Sequence, residues 1–378
     1  MTVDVLVVGA GPVGLTAAAY LAAHGVAVTV VDKQAEGHNT SRAAVIHART
    51  LEALDEIGVT ERLGALAIAS TRFSIRDRDR VLVPVRFDEL PSTHRHMLLI
   101  PQSVTERVLA ERVEELGATV LRPRTLVGLQ QRDDAVVATF GDGEPIQARY
   151  VLGADGTHST VRDLVGIDFG SGDGGETFVL ADVRVDGGLP PDQVVLFFST
   201  SGLLVSAPLP DGSFRIVSQV DDPPALPTAE YVQDLLRTRG PASVQVAVEE
   251  VVWGSRFRVR HQVAATFRRG RVLLAGDAAH VHSPAGGQGM NLGLRDAVAL
   301  ARELVAVLGG AAETRLDHYA DTQRAKAVEV VAFAARLTRL ATTGRALRPV
   351  RNLALRGLAT LPVFRRRLAN RLAGLSDR

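Results

Sequence analysis

Residues 3–14 read Val-Asp-Val-Leu-Val-Val-Gly-Ala-Gly-Pro-Val-Gly, an apolar run that passes directly into a G-x-G-x-x-G turn. The apolar run predicts a buried strand over 3–8, and the residues after the turn predict a helix over 12–24. A second apolar run, 26–31, predicts another buried strand. Strand, glycine turn, helix and strand within about 30 residues form a βαβ unit, whose crossover we expect to be right-handed.

The glycines of this turn and the acid after the second strand have the chemistry of a dinucleotide site. Gly9 permits the tight turn, Gly11 lets the backbone approach a pyrophosphate, and Gly14 lets the helix pack on the strand. The helix start offers N–H donors and a positive dipole end to phosphates. Asp32 can accept hydrogen bonds from a ribose and would repel a 2′-phosphate. We therefore predict a cofactor with an unphosphorylated adenosine, either FAD or NAD.

A second glycine-rich segment favours FAD over NAD. Residues 271–277 form an apolar strand that ends at Gly276-Asp277, where the carboxylate can meet a ribityl or polyol hydroxyl. Residues 284–291 then read Pro-Ala-Gly-Gly-Gln-Gly-Met-Asn, a loop that opens another helix and offers N–H groups to an electron-rich carbonyl edge. Two strand–loop–helix sites suit an extended cofactor with two parts, whereas NAD leaves the second loop without a role.

The order of elements predicts an α/β fold in which a Rossmann-like FAD-binding domain is discontinuous. Its first part is expected over 1–170, with a small strand-rich excursion near 70–100. Turn-rich, β-like sequence over 171–267 predicts an inserted β-sheet domain that binds substrate. The second part of the FAD-binding domain is expected over 268–310, and a helical region over 311–378.

Composition excludes several classes of function. The chain has 378 residues with no Cys, so disulfides, Cys-ligated metals and thiol catalysis are excluded. We find no signal peptide and no apolar run of about 18 residues, so the expected location is cytoplasmic, with no membrane or nucleic-acid partner. The segment 336–378 carries 11 Arg and one acid. We favour solvated Arg faces on helices packed through their leucines over a surface for anionic lipid or nucleic acid.

Two further patterns have ordinary explanations. Gly170–Gly175 also matches G-x-G-x-x-G, but it follows a helix-like segment and opens a strand-like one, so we predict a loop. His280 and His282 form a His-x-His pair, but no neighbouring carboxylate or Cys completes a ligand set, so no metal is expected.

Three ordered blocks resemble the fingerprints of the flavin-dependent aromatic hydroxylases, the group typified by para-hydroxybenzoate hydroxylase. They are the first glycine turn, the block Val151-Leu-Gly-Ala-Asp155-Gly156-Thr-His-Ser-Thr-Val-Arg162, and the Gly276–Asp277 block. Ser41-Arg42-Ala43 and Pro101-Gln102 also resemble the family. The nearest likeness is to bacterial polyketide, phenol and antibiotic hydroxylases, and we expect this chain to lack the C-terminal thioredoxin-like domain of many of them.

The resemblance implies roles by position. Arg42 and Pro284 are expected to position the flavin, with no side-chain nucleophile. Asp155 is expected to contact FAD, although it could instead cap the helix that begins near Ser159. The full set of expected cofactor contacts is Gly9, Gly11, Pro12, Val13, Gly14, Asp32, Lys33, Arg42, Gln102, Leu126, Asp155, Gly156, Gly276, Asp277, Pro284, Gly286, Gly287, Gln288, Gly289, Met290 and Asn291.

The implied activity is that of a monooxygenase using FAD, NADPH or NADH, and O2. A flavin C4a-hydroperoxide would transfer one oxygen atom to an aromatic or polycyclic, polyketide-like small molecule, as in antibiotic biosynthesis. Phe197, Phe198 and Leu204 are expected to line the substrate pocket. The alternatives are an FAD-dependent epoxidase or reductase on the same scaffold, or a flavin- or ligand-binding protein without turnover. We expect a monomer or a homodimer.

Overall fold

The computed structural model describes residues 1–37, 43–170, 175–243, 245–284 and 286–376. Most of the predicted loop Gly170–Gly175 and the predicted flavin-positioning residue Arg42 therefore lie outside the described residues. No helix of the described chain is both long enough and apolar enough to cross a bilayer.

The described chain alternates short strands with helices in its first half. The strands are β1 (Thr2–Val8), β2 (Val28–Val31), β3 (Val45–Ile46), β4 (Ile68–Ser70), β5 (Arg72–Asp77), β6 (Arg80–Arg86), β7 (Met97–Leu99), β8 (Thr119–Leu121), β9 (Leu126–Gln131), β10 (Val136–Phe140), β11 (Ile146–Gly153), β12 (Glu176–Asp186), β13 (Gln193–Phe197), β14 (Leu204–Pro208), β15 (Phe214–Gln219), β16 (Ala247–Val259), β17 (Gln262–Val263), β18 (Arg268–Arg269), β19 (Val272–Leu274) and β20 (His280–Val281). The helices are α1 (Pro12–Ala23), α2 (Ala48–Asp55), α3 (Thr60–Ala65), α4 (Gln102–Glu115), α5 (Thr160–Leu164), α6 (Ala229–Arg239), α7 (Gly289–Leu308), α8 (Thr314–Ala341), α9 (Arg348–Ala359) and α10 (Pro362–Leu372).

The first sheet contains the predicted βαβ unit. Its central order is β18-β19-β11-β1-β2-β8, and β1 runs parallel to both β2 and β11. Strand β19 also runs parallel to β11, so the Gly276–Asp277 segment leaves the sheet at the same edge as the glycine turn after β1. The α/β class, the βαβ unit and the antiparallel β10–β11 hairpin are confirmed.

The second sheet has the order β16-β12-β15-β14-β13-β5-β6. Strands β5 and β6 were expected within the first domain as a strand-rich excursion, and this sheet membership is a correction. Strand β5 pairs in parallel with β13, more than 100 residues later. The alternating apolar pattern of 72–86 identified a strand pair, but a local pattern contains no information about a distant partner.

The two faces of the second sheet bury different groups of side chains. One face packs on α6 through side chains that include Val195, Phe197 and Leu204. The other face carries Leu180, Val194 and Leu196, and it continues into the core formed with the C-terminal helices. Because successive side chains of a strand alternate between faces, only the second of these groups is turned toward the first sheet.

Candidate active site

One elongated cavity of about 750 Å3 joins the two sheets. It begins at Asp32, passes the turn after β1 and the Asp155–Gly156 segment, and reaches Asp277 and the loop before α7. From there it continues along the apolar face of the second sheet, where Leu196 and Val205 form part of its wall. The structure therefore brings together the three blocks that the sequence singled out, and connects them to an apolar compartment.

The glycine turn has the close approaches that the motif predicts. Gly9 has a φ of +107°, and a Cβ there would overlap the carbonyl of Ala154. A Cβ on Gly14 would overlap the carbonyl oxygen of Gly9, so the helix can lie this close to the turn only with glycine at 14. Gly11, by contrast, has nothing within 4 Å of an added Cβ, which leaves its side of the turn open toward the cavity. Pro12 and Val13 line the cavity beside it.

Asp32 is held in place by backbone groups on both sides. Its Oδ2 accepts a hydrogen bond from the Ala10 N–H at 2.6 Å, and its Oδ1 accepts one from the Gln34 N–H at 2.8 Å. Each carboxylate oxygen has a second lone pair, so Asp32 can still accept hydrogen bonds from ribose hydroxyls. The turn and the acid are thus fixed to each other before any ligand binds.

The predicted residues Lys33, Gln102 and Leu126 line the same end of the cavity. Gln102 accepts a hydrogen bond from the Ala43 N–H at 3.3 Å and donates one to Glu106 at 2.8 Å, so its amide is oriented by protein groups.

Sequence reasoning missed two arginines at this end of the cavity. Arg122 Nη2 donates to the Ala10 carbonyl at 2.9 Å, and Arg124 also lines the cavity. They lie just beyond β8, the strand that pairs with β2. Their position after a strand next to the one that ends at Asp32 is the sequence signal from which they could have been found.

Asp155 lies between the cavity and the start of α5. It lines the cavity, and its carboxylate accepts hydrogen bonds from the Ser159 hydroxyl at 2.5 Å and the Val161 N–H at 3.1 Å. It therefore supports the first turn of α5, whose N-cap is Ser159. Burial raises the pKa of Asp155, and these hydrogen bonds offset only part of that rise. Arg162 does not pair with Asp155 but donates to the carbonyls of Thr157 and Ala278, which ties the middle block to the Gly276–Asp277 block.

Gly276 marks a close crossing between the turn after β19 and helix α1. Its φ is +62°, and an added Cβ would lie 2.8 Å from Val13 Cγ2. Gly293 on α7 is equally constrained, at 2.7 Å from the same methyl, and the sequence analysis missed it. Asp277 lines the cavity, and its Oδ2 accepts a hydrogen bond from the Thr157 hydroxyl at 3.4 Å.

A buried polar group beneath this turn was also missed. His280 Nε2 lies 2.5 Å from Asp296 Oδ2, and both side chains are fully enclosed. Burial, followed by the charge of Asp296, raises the pKa of Tyr319 well above its usual value, and its hydroxyl donates to the Leu274 carbonyl. His280 therefore has a structural partner, and the described residues contain no cluster of His and acids that could hold a metal.

The loop before α7 faces the cavity with its backbone and buries two of its polar side chains. The cavity is lined by five residues that were predicted to contact the cofactor, namely Pro284, Gly286, Gly287, Gly289 and Met290. Gln288 and Asn291 do not line the cavity. They are 2% and 1% exposed, and their side chains contact protein on the side of the loop away from the cavity. Because these amides bond to protein carbonyls, we correct their predicted direct contact with the cofactor to a role in positioning the loop.

The partners of these amides connect three parts of the chain. Asn291 donates to the carbonyls of Val45 and Gly287 and accepts from the His47 N–H, all within 2.8 Å. Gln288 donates to the Leu372 carbonyl at 2.8 Å, at the end of α10. The neighbouring carbonyls 373 and 374 accept hydrogen bonds from the Arg49 N–H and the Arg295 guanidinium, so the last helical turn seats against the back of the loop.

Two neutral histidines lie at the wall of the cavity. His47 donates from Nε2 to the Gly286 carbonyl, and His282 donates from Nδ1 to the Ser283 carbonyl. Burial lowers the pKa of each to about 4, against an ordinary value of 6.5. Both rings are therefore uncharged at neutral pH.

The wall formed by the second sheet corrects the predicted substrate residues. Phe197 and Leu204 lie on the opposite face with α6, and Phe198 packs in the core near the Arg351 guanidinium. Their immediate neighbours Leu196 and Val205 face the cavity instead. For Phe197 and Leu204 the sequence analysis took the face that points away from the cavity, because a continuous apolar run does not show which alternate residues point inward. Phe198 follows β13 and joins the core cluster of Leu196, but it does not line the cavity. The apolar wall comprises Phe73, Met97, Val194, Leu196, Val205, Ala207, Val217, Phe257, Val259 and Val281.

One buried arginine, Arg215, lies in this mostly apolar wall. Arg215 makes two hydrogen bonds of 2.7 Å to the carboxylate of Asp182, and it donates to the Ala43 carbonyl at 2.6 Å. Arg215 is 2% exposed. The pair connects the second sheet to the segment that leads into β3. No pattern in the sequence predicted this ion pair.

The residues present fit FAD. At one end of the cavity, the open glycine turn and the fixed acid Asp32 are suited to phosphate and ribose. At the other end, Gly286, Gly287 and Gly289 line the cavity with their backbone, which is suited to the polar edge of a flavin ring. Both lie on one cavity, as a cofactor with two separated parts requires.

Comparison with known proteins agrees with this geometry. A family model described as "FAD binding domain" matches residues 2–334. Rifampicin monooxygenase from Streptomyces venezuelae is 37% identical over 345 residues, which covers 87% of this chain and 69% of that protein. The structure of an anhydrotetracycline hydroxylase from Streptomyces rimosus has a TM-score of 0.82 at 34% identity, covering 100% of this chain and 76% of that one. Aklavinone-11 hydroxylase, solved as a ternary complex with FAD and aklavinone, has a TM-score of 0.76 at 28% identity over 89% of this chain and 68% of that one. The chain therefore belongs to the FAD binding domain family, among the flavin-dependent monooxygenases.

Proposed function

We propose that this chain hydroxylates an aromatic or polycyclic, polyketide-like small molecule, with FAD as cofactor, NADPH or NADH as reductant, and O2 as oxidant. The continuity of the cavity carries this proposal, because the glycine-lined crevice opens directly onto an apolar wall. The first sheet holds the cofactor and the second sheet holds the substrate. The names of the relatives, which act on rifampicin and anhydrotetracycline, support a large fused-ring substrate.

The residues of the first sheet bind and orient the cofactor. Asp32 would accept hydrogen bonds from the ribose hydroxyls, and the N–H groups that open α1 would receive the pyrophosphate. Asp277 would accept hydrogen bonds from the ribityl chain, and the backbone of 286–289 would help hold the flavin ring. FAD, when bound, supplies the redox and oxygen-activating chemistry, and the protein supplies position and exclusion of water.

The residues of the second sheet place the ring that is to be oxidised. The wall from Phe73 to Val281 is mostly aliphatic, so it holds a flat apolar ligand by contact area and excludes water from the reacting atoms. In the overall reaction one oxygen atom of O2 replaces a substrate C–H with C–OH, and the other leaves as water. The two electrons and one proton come from NAD(P)H, and a second proton comes from solvent.

The proposal is tested on the holoprotein by substrate-stimulated NADPH consumption, with mass spectrometry for the gain of one oxygen atom. A panel of anthracyclinone, tetracycline-type and simple phenolic compounds covers the expected range. Products are examined by NMR, because an epoxide and a phenol have the same gain in mass. Purified protein should carry flavin absorbance, and a folded preparation that is colourless and takes up no flavin would disprove the proposal. Ligand binding without any NADPH loss would indicate a protein without turnover.

Adjacent substitutions test the assignment of the wall. Leu196→Ala removes a cavity-facing side chain, so we expect KM for the substrate to rise roughly tenfold. Val195→Ala on the same strand faces α6, and we expect it to lower stability with little change in KM. Equal effects of the two substitutions on KM would contradict the assignment of this face to the substrate.

A further inference from the structure

Helix α9, the start of α10 and the residue just before each helix present apolar side chains to solvent. Leu347, Val350, Leu353, Leu361 and Val363 are between 53% and 74% exposed. The first three follow a three-residue spacing, so they lie along one side of α9. Scattered exposed leucines are ordinary, but a row of this kind, with two more exposed apolar side chains at the start of the next helix in contact with it, is typical of an interaction surface. We name these five residues the outer face.

The orientation of α9 is fixed by strong contacts on its inner side. Asp77 on β5 accepts hydrogen bonds from Arg348, Arg351 and Asn352. Arg351 is 6% exposed, and its guanidinium also donates to the carbonyls of Leu340 and Ala341. Since the helix cannot rotate without breaking this cluster, the outer face points to solvent as a consequence of the fold.

The segment that carries the outer face has charge of one sign. Residues 336–376 contain ten Arg and no Lys, Asp or Glu. Arg348 and Arg351 are bound to Asp77, but Arg356 and Arg365–Arg367 are exposed, and within the described ranges they form no ion pair. The sequence analysis expected the leucines of this segment to pack inward. Leu337 and Leu355 do so, whereas Leu347 and Leu353 do not.

This combination favours a negatively charged, partly apolar partner. Two copies of the chain docked through this face would bring the arginines of the two segments 336–376 close together, and these segments contain no acid to compensate them, which costs free energy. A bilayer with anionic headgroups offers phosphates to the arginines and acyl chains to the leucines, the arrangement used by amphipathic helices that lie at a membrane surface. We propose that the outer face docks on anionic membranes as a peripheral contact.

The test uses the FAD-loaded full chain in sedimentation with lipid vesicles. One set contains phosphatidylcholine alone, and the other contains roughly one third phosphatidylglycerol. We expect binding to the second set and little to the first, and loss of binding at about 0.5 M salt because screening removes the charge attraction. Because a basic residue near an anionic surface contributes roughly fivefold in partitioning, replacing Arg365, Arg366 and Arg367 with Gln should weaken binding about 100-fold.

A pair of apolar-to-acid substitutions tests the role of the leucines. Leu353→Asp lies in the outer face, whereas Leu226→Asp changes an equally exposed leucine, 73% against 74%, outside it. We expect the first to reduce vesicle binding at least tenfold and the second to leave it near native, with flavin content unchanged in both. Binding to neither vesicle set, or equal effects of the two substitutions, would overturn the proposal. A concentration-dependent dimer that Leu353→Asp dissociates, without vesicle binding, would assign the face to a second copy instead.

Discussion

Replacing Arg215 with Met should cost about 3–5 kcal/mol of folding free energy, because it leaves Asp182 as a buried carboxylate without its partner. The geometry supports the upper part of this range: both Asp182 oxygens accept at 2.7 Å, and Arg215 is 2% exposed. The assay is urea unfolding followed by tryptophan fluorescence. Trp253 is the only tryptophan, it lies directly across from Asp182 in the sheet, and its ring centroid is 6.0 Å from the guanidinium carbon.

Two further variants separate charge burial from general damage to the sheet. Asp182→Leu combined with Arg215→Met replaces the pair with apolar side chains, so it should recover at least about 2 kcal/mol relative to the single variant. Arg237→Met breaks a surface pair in which both partners are 69% exposed, and it should cost no more than about 0.5 kcal/mol. The reasoning fails if Arg215→Met stays within about 1 kcal/mol of native, or if the double variant is as unstable as the single one.

Three other predictions concern the cofactor end and the loop. Gly14→Ala should lower stability by about 2 kcal/mol or more and reduce flavin content, because the added Cβ overlaps the Gly9 carbonyl; native thermal unfolding and flavin absorbance would refute this. His47 and His282 take up protons near pH 6.5 when unfolded but only near pH 4 when folded, so stability should fall as pH drops through that window, by about 2 kcal/mol per histidine at pH 5. Urea unfolding at pH 7 and pH 5 measures this, and equal midpoints would contradict it. Gln288→Leu should raise the dissociation constant of FAD by roughly tenfold, because it releases the loop from α10; unchanged flavin retention on dialysis would argue that the amide is dispensable.

The first sheet and the cofactor end of the site were predictable because their determinants are local. A glycine turn between an apolar strand and a helix needs only a dozen residues to be recognised, and Gly9, Gly14 and Gly276 occupy positions that exclude any side chain. The same holds for Asp32, whose place at the end of β2 follows from the length of the βαβ unit. These elements are confirmed in the structure at nearly the predicted boundaries.

The features that the sequence analysis missed depend on contacts between distant segments. Whether Leu196 or Phe197 faces the cavity is decided by which side of the sheet α6 covers, and both residues are equally apolar. The pairing of β5 with β13 and the Arg215–Asp182 pair likewise join residues far apart in the chain. Gln288 looked like a ligand because it stands in a glycine loop, but its partner is the end of a helix more than 80 residues later.

The seating of the last turn of α10 behind the glycine loop has a practical consequence for building hybrid enzymes. Carbonyls 372–374 are matched to Gln288, Arg49 and Arg295, which come from two separate parts of the chain. Replacing the C-terminal helices with those of a relative changes the segment that carries these carbonyls but leaves the three donor residues of the original chain in place. Junctions for recombination should therefore be chosen so that residue 49, the 286–295 stretch and the 372–374 turn are inherited from one parent.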